Sequence, residues 1–569
     1  MSLFETKTAD NFIYEEAADP REHLSGSTPF LRKNVAYVVD QQAGNGQYNS
    51  GEVIIDSQAI AASGNMIDWR NAYIATPQQV KVNLGNSVAN TWSSQSGGGT
   101  GLAKFAAAIK NCSLLDSIKV EANGKTIITA TQGLSQLVNF KLLSTMTPAS
   151  LAKDGAIIGF YPDDQGQSGD AGLDSFNSGN DANSYYTQGD GVSQANRGLV
   201  ERQNNWLPTF NSSFMVDANL KEEGAAYDAG TGVVPTAITA VGAAGGDVVD
   251  IHYVAVIRLR DLHDYFDKHC LSRGVSYRFT LKFNQSVSTV TSPSSTTPFS
   301  VAPASIVNSQ TSGSAQPAML CWGGASLLGR LTAQTANTVI TATVTAQIDT
   351  TPLARFSGTR LYVPSYELDP SHQEKLLSQP IIKRSFMDFM TQTTQTYAQA
   401  GGPINVQVST SATNPRALIV IPRWSQTATG NGGQGFYSET SPLSSVPGST
   451  DALLSLTNLQ VKLGSNFVLP DRMFYSFQQF QDHVAGIFAQ NGDQTVQTSG
   501  LISKKSFEVN NRYYAFDLSR YPEAMSNLPQ MVSLECKNNS QVAVEVLCVL
   551  LYSRDVEFNL ASGSMTITA

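Results

Sequence analysis

The chain has 569 residues, more than one ordinary hydrophobic core accommodates, so two or more folded units are expected. Hydrophobic residues make up 41% and charged residues only 15%, with neutral Ser, Thr, Asn, Gln and Gly filling the gap; this fits turn-rich β domains and speaks against disorder. A net charge of −9 and the lack of any Lys/Arg run speak against a direct electrostatic grip on nucleic acid.

In chain order, the opening MSLFETKTADNFIYEEAADPREH is acidic and lacks the basic and apolar regions of a secretion signal. The five cysteines are scattered and odd in number, and no CxxC occurs. Reduced thiols in a protein folded inside a cell are therefore expected. NVAYVVDQ (Asn34–Gln41) and GEVIIDSQA alternate apolar and polar residues, as half-buried strands do. GGGTGLAK (Gly97–Lys104) could meet an anion at a helix start, but no strand of a βαβ unit precedes it, so it reads as a connector. It leads into GLAKFAAAIKNC, which predicts a short helix. In LLDSIKVEANGKTII (Leu114–Ile128), NGKT resembles part of a phosphate loop, yet Lys119 stands where that motif needs glycine. A hairpin turn at Asn123–Gly124 is the better reading.

LSQLVNFKLLSTM (from Leu134) predicts a helix, and Tyr161–Gly191 predicts a structureless excursion. The carboxylates of Asp163–Asp181 could suggest calcium, but their spacing does not fit an EF-hand loop. IRLRDLHDYFDKHC (Ile257–Cys270) holds two histidines. They are six residues apart, about 240° around a helix, and cannot chelate one ion from a single face. The segment reads instead as a short helix capped by Asp261, with Leu262, Tyr265 and Phe266 as its buried stripe. VSYRFTLKFN is a clear strand, with Val275, Tyr277, Phe279, Leu281 and Phe283 on one face. Gln285–Ser314 is rich in Ser and Thr and reads as a second structureless segment. FYSFQQFQDHVAGIF (from Phe474) predicts a helix. VAVEVLCVLLY (Val542–Tyr552) reads as a strand buried on both faces, too short and too charged at Glu545 to span a bilayer.

Three segments recur in one order. Leu114–Ile128 resembles SLTNLQVKLGSNFVL (Ser455–Leu469). IRLRDLHDYFDK…VSYRFTLKFNQS resembles AFDLSRYPEAMSNLPQMVSLECKNNS. LYVPSYELD (Leu361–Asp369) resembles LYSRDVEFN (Leu551–Asn559). The spacing falls from 341 residues (114 to 455) to 254 (279 to 533) to 190 (361 to 551), so the first copy carries about 87 extra residues in its middle and 64 near its end. The chain is thus two related β units, the first with long insertions. The second copy lacks the histidines of the first, which argues against a metal site there. No HExxH, GxSxG or local Cys/His signature occurs. Catalytic, cofactor-binding and metal-binding residues are accordingly expected to be absent, and the protein is expected not to be an enzyme. The sequons at Asn111, Asn211, Asn284 and Asn538 mean little without secretion.

Taken together, NVAYVVDQQ…YNSGEVIIDSQAI, WRNAYIATPQQVKV, RLYVPSYELDPSHQEKLL, PRALIVIPRWS, SPLSSVPG and GLISKKSFEVNNRYYAFDLSR stand in an order that resembles the double jelly-roll major capsid proteins of small eukaryotic double-stranded DNA viruses, in particular polinton-like viruses and virophages. The resemblance covers nearly the whole chain. It implies an all-β fold of two consecutive eight-stranded jelly rolls with a few short helices and long surface loops. The implied division is an N-terminal arm over 1–34, a first roll over 35–378 with insertions at about 148–248 and 285–350, and a second roll over 379–569. A helix over Pro370–Leu377 would join them. It further implies pseudo-hexameric homotrimers that tile an icosahedral shell in the virion, with penton and minor capsid proteins as further partners, no strong nucleic-acid contact and no membrane span. Two other readings compete. One is a two-domain jelly-roll carbohydrate-binding protein or glycosidase, the other a minor capsid or spike protein.

Overall fold

A computed structural model describes residues 30–41, 52–83, 105–109, 114–129, 133–160, 162, 248–268, 271–292, 306–312, 318–322, 340–348, 358–378, 381–394, 397, 401–424, 454–469, 475–487, 499–509, 511–522, 528–540, 543–559 and 563–568. The strands of the first half are β1 (Phe30–Val39), β2 (Glu52–Asp56), β3 (Met66–Asp68), β4 (Tyr73–Asn83), β5 (Phe105–Ile109), β6 (Leu115–Ala122), β7 (Lys125–Ile128) and β8 (Val248–Arg258). They continue through β9 (Leu271–Ser272), β10 (Tyr277–Phe283), β11 (Gln285–Ser292), β12 (Ile306–Ser312), β13 (Ala318–Trp322), β14 (Ile340–Ile348) and β15 (Arg360–Leu368). The second half holds β16 (Ile381–Thr393), β17 (Pro403–Ala412), β18 (Pro415–Trp424), β19 (Leu456–Leu463), β20 (Asn466–Phe467), β21 (Tyr514–Asp517), β22 (Gln530–Asn538), β23 (Val544–Asn559) and β24 (Met565–Thr568).

In each half the first roll strand pairs with the last, the second with the second-last, and so inward. The pairs are β1–β15, β2–β10, β4–β8 and β6–β7, then β16–β23, β17–β22, β18–β21 and β19–β20. Cross-links β15–β4 and β10–β6, like β18–β23 and β19–β22, gather these pairs into two facing sheets per half. This nested antiparallel wrapping is the jelly roll, and the chain holds two in succession. The three segment matches seen in the sequence fall on equivalent strands: the β6–β7 and β19–β20 hairpins, the passages β8 to β10 and β21 to β22, and β15 with β23.

Alternation builds the cores. In β10, Tyr277, Phe279, Leu281 and Phe283 are buried while Arg278 is exposed; in β23, Val544 and Val546–Leu551 are buried on both faces. One continuous apolar cluster runs from Val53 to Met565 across both rolls. The hairpin turn at Asn123–Gly124 has φ of 48° and 79°, the paired positive values a two-residue β-turn demands.

Several local expectations change. Gln285–Ser314 is not structureless: β11 and β12 lie within it, and with β14 they extend the first roll's sheet beside β4. Thr and Val favour strands, and the Ser/Thr bias hid that signal. GLAKFAAAIKNC yields β5, paired with β13, because a partner strand outweighs the helix preference of its alanines. The helix at Leu259–Leu262 starts before Asp261, so Asp261 sits inside its first turn and accepts from Arg258 Nε at 2.7 Å instead of capping. β1 begins at Phe30, inside the segment expected to be an arm. The helices Leu134–Thr145, Pro370–Ser378 and Phe477–Ile487 appear where expected, and Ser476 with Gln479 closes a reciprocal capping box on the last. Of Tyr161–Gly191, all but Pro162 lies outside the described residues.

Successive roll strands alternate in direction, so connections alternate between two ends. At one end lie the tight turns Asn123–Gly124, Thr413–Asn414 and Gly464–Ser465, together with the passages 57–72 and 259–276. The connections 84–114, 129–247 and 284–359 of the first roll, and 425–455 and 468–513 of the second, all leave from the other end.

Candidate functional site: the seam between the rolls

The helix Leu134–Thr145 fills the space between the rolls, with ten of its twelve residues buried. A Cβ on Gly133, just before it, would lie 3.4 Å from Leu547 Cδ2 and 3.5 Å from Thr391 Cγ2 of the second roll. Further along, the Phe140 and Tyr513 rings are 4.9 Å apart, Asn139 Nδ2 donates to Tyr513 Oη at 3.0 Å, and Leu501 N donates to Leu143 O at 2.8 Å. Leu137 and Val138 share a cavity of about 30 Å³ with Met387, Phe389 and Leu551, room for one water.

Below the helix sits a buried polar cluster that composition does not announce. Asp388 on β16 is 1% exposed. Its Oδ2 accepts from Arg554 Nη1 at 2.8 Å and from Tyr552 Oη at 3.1 Å, and its Oδ1 accepts from Phe389 N at 2.8 Å. Tyr265 N donates to His263 Nδ1 at 3.1 Å, which leaves the other ring nitrogen, Nε2, to face Asp388 Oδ1 at 3.3 Å. Burial pushes the Asp388 carboxyl upward, but hydrogen bonds from His263, Arg554 and the Phe389 backbone together hold it below the ordinary carboxylate range. Arg554 Nη1 also donates to Ile127 O of the first roll at 2.7 Å, and Asp264 Oδ2 accepts from Met387 N at 2.9 Å. The cluster therefore ties β16 and β23 to the passage between β8 and β10.

Tyr265 and Phe266 are fully buried, as the sequence stripe requires, and Leu262 nearly so. Tyr265 Oη meets Tyr277 Oη at 2.7 Å, and burial raises both phenols. His269 lies outside the described residues. Among the described residues, no group of three or more His, Cys, Asp or Glu could hold a metal ion, and no helix is long and apolar enough to cross a membrane. The sequon side chains Asn284 and Asn538 are buried, and the other two sequons lie outside the described residues.

At the end with short connections, the C-terminal turn clasps the first roll. Asn123 Nδ2 donates to Gly563 O at 2.7 Å and Lys125 Nζ donates to Met565 O at 2.9 Å. Gly563 has φ +66°, and a Cβ on it would stand 2.6 Å from Gly274 O. Among the described residues β1 pairs with β15 alone, and on it Val35 is 59% and Tyr37 57% exposed. Exposed edge strands are surfaces that proteins blunt with charge or cover, and Arg32 and Lys33 supply charge on this one.

No protein-family model matches the chain, and no curated protein matches it in sequence. Solved structures do. The cryo-EM structure of the Sputnik virophage is 12% identical, with 97% of this chain and 92% of that chain covered and a TM-score of 0.49. The mavirus major capsid protein is 9% identical, with 94% and 90% covered and a TM-score of 0.44. The PBCV-1 virus capsid is 8% identical, with 95% and 97% covered and a TM-score of 0.39.

Proposed function

We propose that the chain is a major capsid protein whose activity is self-assembly, with no turnover. Three copies form a capsomer of six rolls, and capsomers tile an icosahedral shell around a double-stranded DNA genome. The observation that carries this reading is the duplicated jelly roll whose two copies share one buried seam. Obligate interfaces of this kind bury about 2,000 Å² or more. Closed threefold symmetry then satisfies every equivalent contact within the capsomer. The long connections, which all leave one end, form the outward face, and the short turns face inward. Penton and minor capsid proteins complete the virion, and genome contact falls to other proteins, in keeping with the acidic chain.

Light scattering behind a sizing column tests this. One chain is 61.0 kDa, so three make 183 kDa. A stable 183 kDa species or closed shells supports the proposal. A stable monomer retained on a glycan column refutes it in favour of a carbohydrate-binding protein.

A further inference from the structure

The turn between β3 and β4, the end of β8 and the last turn of the helix Pro148–Ile158 border a cavity of about 300 Å³. Their sequences set what faces it. Alternation at the end of β8 sends Ala255, Ile257 and Leu259 into the core and leaves Val256, Arg258 and Arg260 outside it. Tyr73 pairs with Arg258 across the ladder. Arg70 comes from the turn, which Asn71 holds by donating Nδ2 to Asp68 Oδ2 at 2.9 Å. Ile157, from the helix, is 57% exposed.

Arg70, Arg258 and Arg260 thus line one cavity together with the apolar surfaces of Tyr73, Val256 and Ile157, and none of the described lining residues is acidic. The carboxylates that answer these arginines lie outside the lining. Asp267 Oδ1 is 3.1 Å from Arg70 Nε, Asp154 Oδ2 accepts from Arg258 Nη1 at 3.0 Å, and Asp261 Oδ2 accepts from Arg258 Nε at 2.7 Å. These pairs hold two guanidinium groups in place before any ligand arrives, which lowers the cost of binding. Arg260 is answered more weakly: its Nε stands 4.0 Å from Asp261, whose Oδ2 is already engaged by Arg258.

In the second roll the equivalent place is filled. Leu259 N donates to Ala72 O in the first roll and Leu518 N to Arg416 O in the second, so Asp517 stands where Arg258 does. The helix Phe477–Ile487 packs directly on Asp517. A Cβ on Gly486 would overlap its Oδ2, Asp517 N donates to His483 Nδ1 at 3.1 Å, and Arg520 Nη2 donates to Asp482 O at 2.9 Å. One copy of the fold closes this space with a glycine and an internal carboxylate. The other leaves it open and lines it with cations.

We propose that the cavity is a binding site for a small organic phosphate. Its phosphoryl oxygens meet Arg70, Arg258 and Arg260, and its apolar body lies against Tyr73, Val256 and Ile157. A carboxylate's two oxygens are satisfied by one guanidinium fork, whereas a phosphoryl group offers three oxygens and a second charge to several. A volume of about 300 Å³ accommodates a small organic molecule rather than the bare ion. No neighbouring chain enters the site, so the shell-building reading is untouched by the outcome.

Isothermal titration calorimetry on the full-length chain at fixed ionic strength tests this, with phenyl phosphate as the probe. One saturable site per chain is expected, with inorganic phosphate and benzoate each binding roughly tenfold or more weakly. Arg260→Gln is expected to weaken phenyl phosphate by roughly tenfold or more, the worth of a hydrogen bond to a charged group. Ile157→Trp keeps every charge and narrows the cavity, and should weaken binding as well. Lys383→Gln, at a side chain 76% exposed on β16, should leave it unchanged. Equal affinity for benzoate or inorganic phosphate overturns the ligand class. Undiminished binding in either Arg260→Gln or Ile157→Trp, or equal weakening by Lys383→Gln, overturns the site, and so does a lack of saturable binding at millimolar probe.

Discussion

Replacing Asp388 by alanine removes the acceptor at the centre of the seam and leaves Arg554, 18% exposed at its side chain, without its carboxylate. Breaking a buried pair by deleting one partner costs about 3–5 kcal/mol. Arg554 keeps some solvent and its bond to Ile127 O, so the expected loss is at the lower end, about 3 kcal/mol. Asp388→Asn keeps the size and an acceptor and isolates the charge, at about 1.5–3 kcal/mol. Urea unfolding followed by circular dichroism measures both. The pH dependence supplies a second signature. The folded-state pKa is held below its ordinary 3.8, so the stabilisation is complete above that value and is lost as pH falls through the lower, folded-state one. The gap between the native chain and Asp388→Asn should therefore close on strong acidification. A loss under about 1 kcal/mol at pH 7, or a gap unchanged in strong acid, would refute this account of the seam.

Gly563→Ala should cost about 1–3 kcal/mol, because a left-handed backbone and a facing carbonyl at 2.6 Å leave no room for the methyl group. Gly274→Ala, whose nearest foreign atom is 3.7 Å away, should cost less in the same denaturation series. In a double-mutant cycle, Tyr265→Phe and Tyr277→Phe together should destabilise by less than the sum of the two, since each removes the same 2.7 Å hydrogen bond; strict additivity would contradict the pairing. Burial pushes the Cys536 thiol up to about 12 and raises Cys548 as well. Peptide mapping after thiol labelling should find both unmodified in native protein from pH 7 to 10, and labelled only once denaturant is added.

The repeated architecture was legible in the sequence because three strand pairs keep their order and the offset between them falls in steps. The Leu-Tyr match at Leu361 and Leu551 slides by one residue against the ladders, which set Tyr362 opposite the position of Leu551. Alternating strands tolerate such a slip in a short alignment but not in a folded sheet, where it would turn every side chain to the other face. The seam was not legible. Asp388 is one acid in IIKRSFMDFMTQT, and Arg554 and His263 lie far from it in the chain; only the folded register brings them together. β11 and β12 are not legible because the Ser/Thr bias of Gln285–Ser314 hides the strand preference of its Thr and Val residues.

The placement of the longest connections at one end has a thermodynamic consequence. Loop-closure entropy grows with the logarithm of length, about 0.6 kcal/mol for each doubling. Lengthening 163–247, which follows the seam helix Leu134–Thr145, therefore costs little and leaves the seam and the ladders as they are. The short turns at the opposite end have no such latitude: Asn123–Gly124 and Gly563 are fixed by their own backbone geometry. One end of the molecule therefore tolerates change in length while the other is held to a single shape.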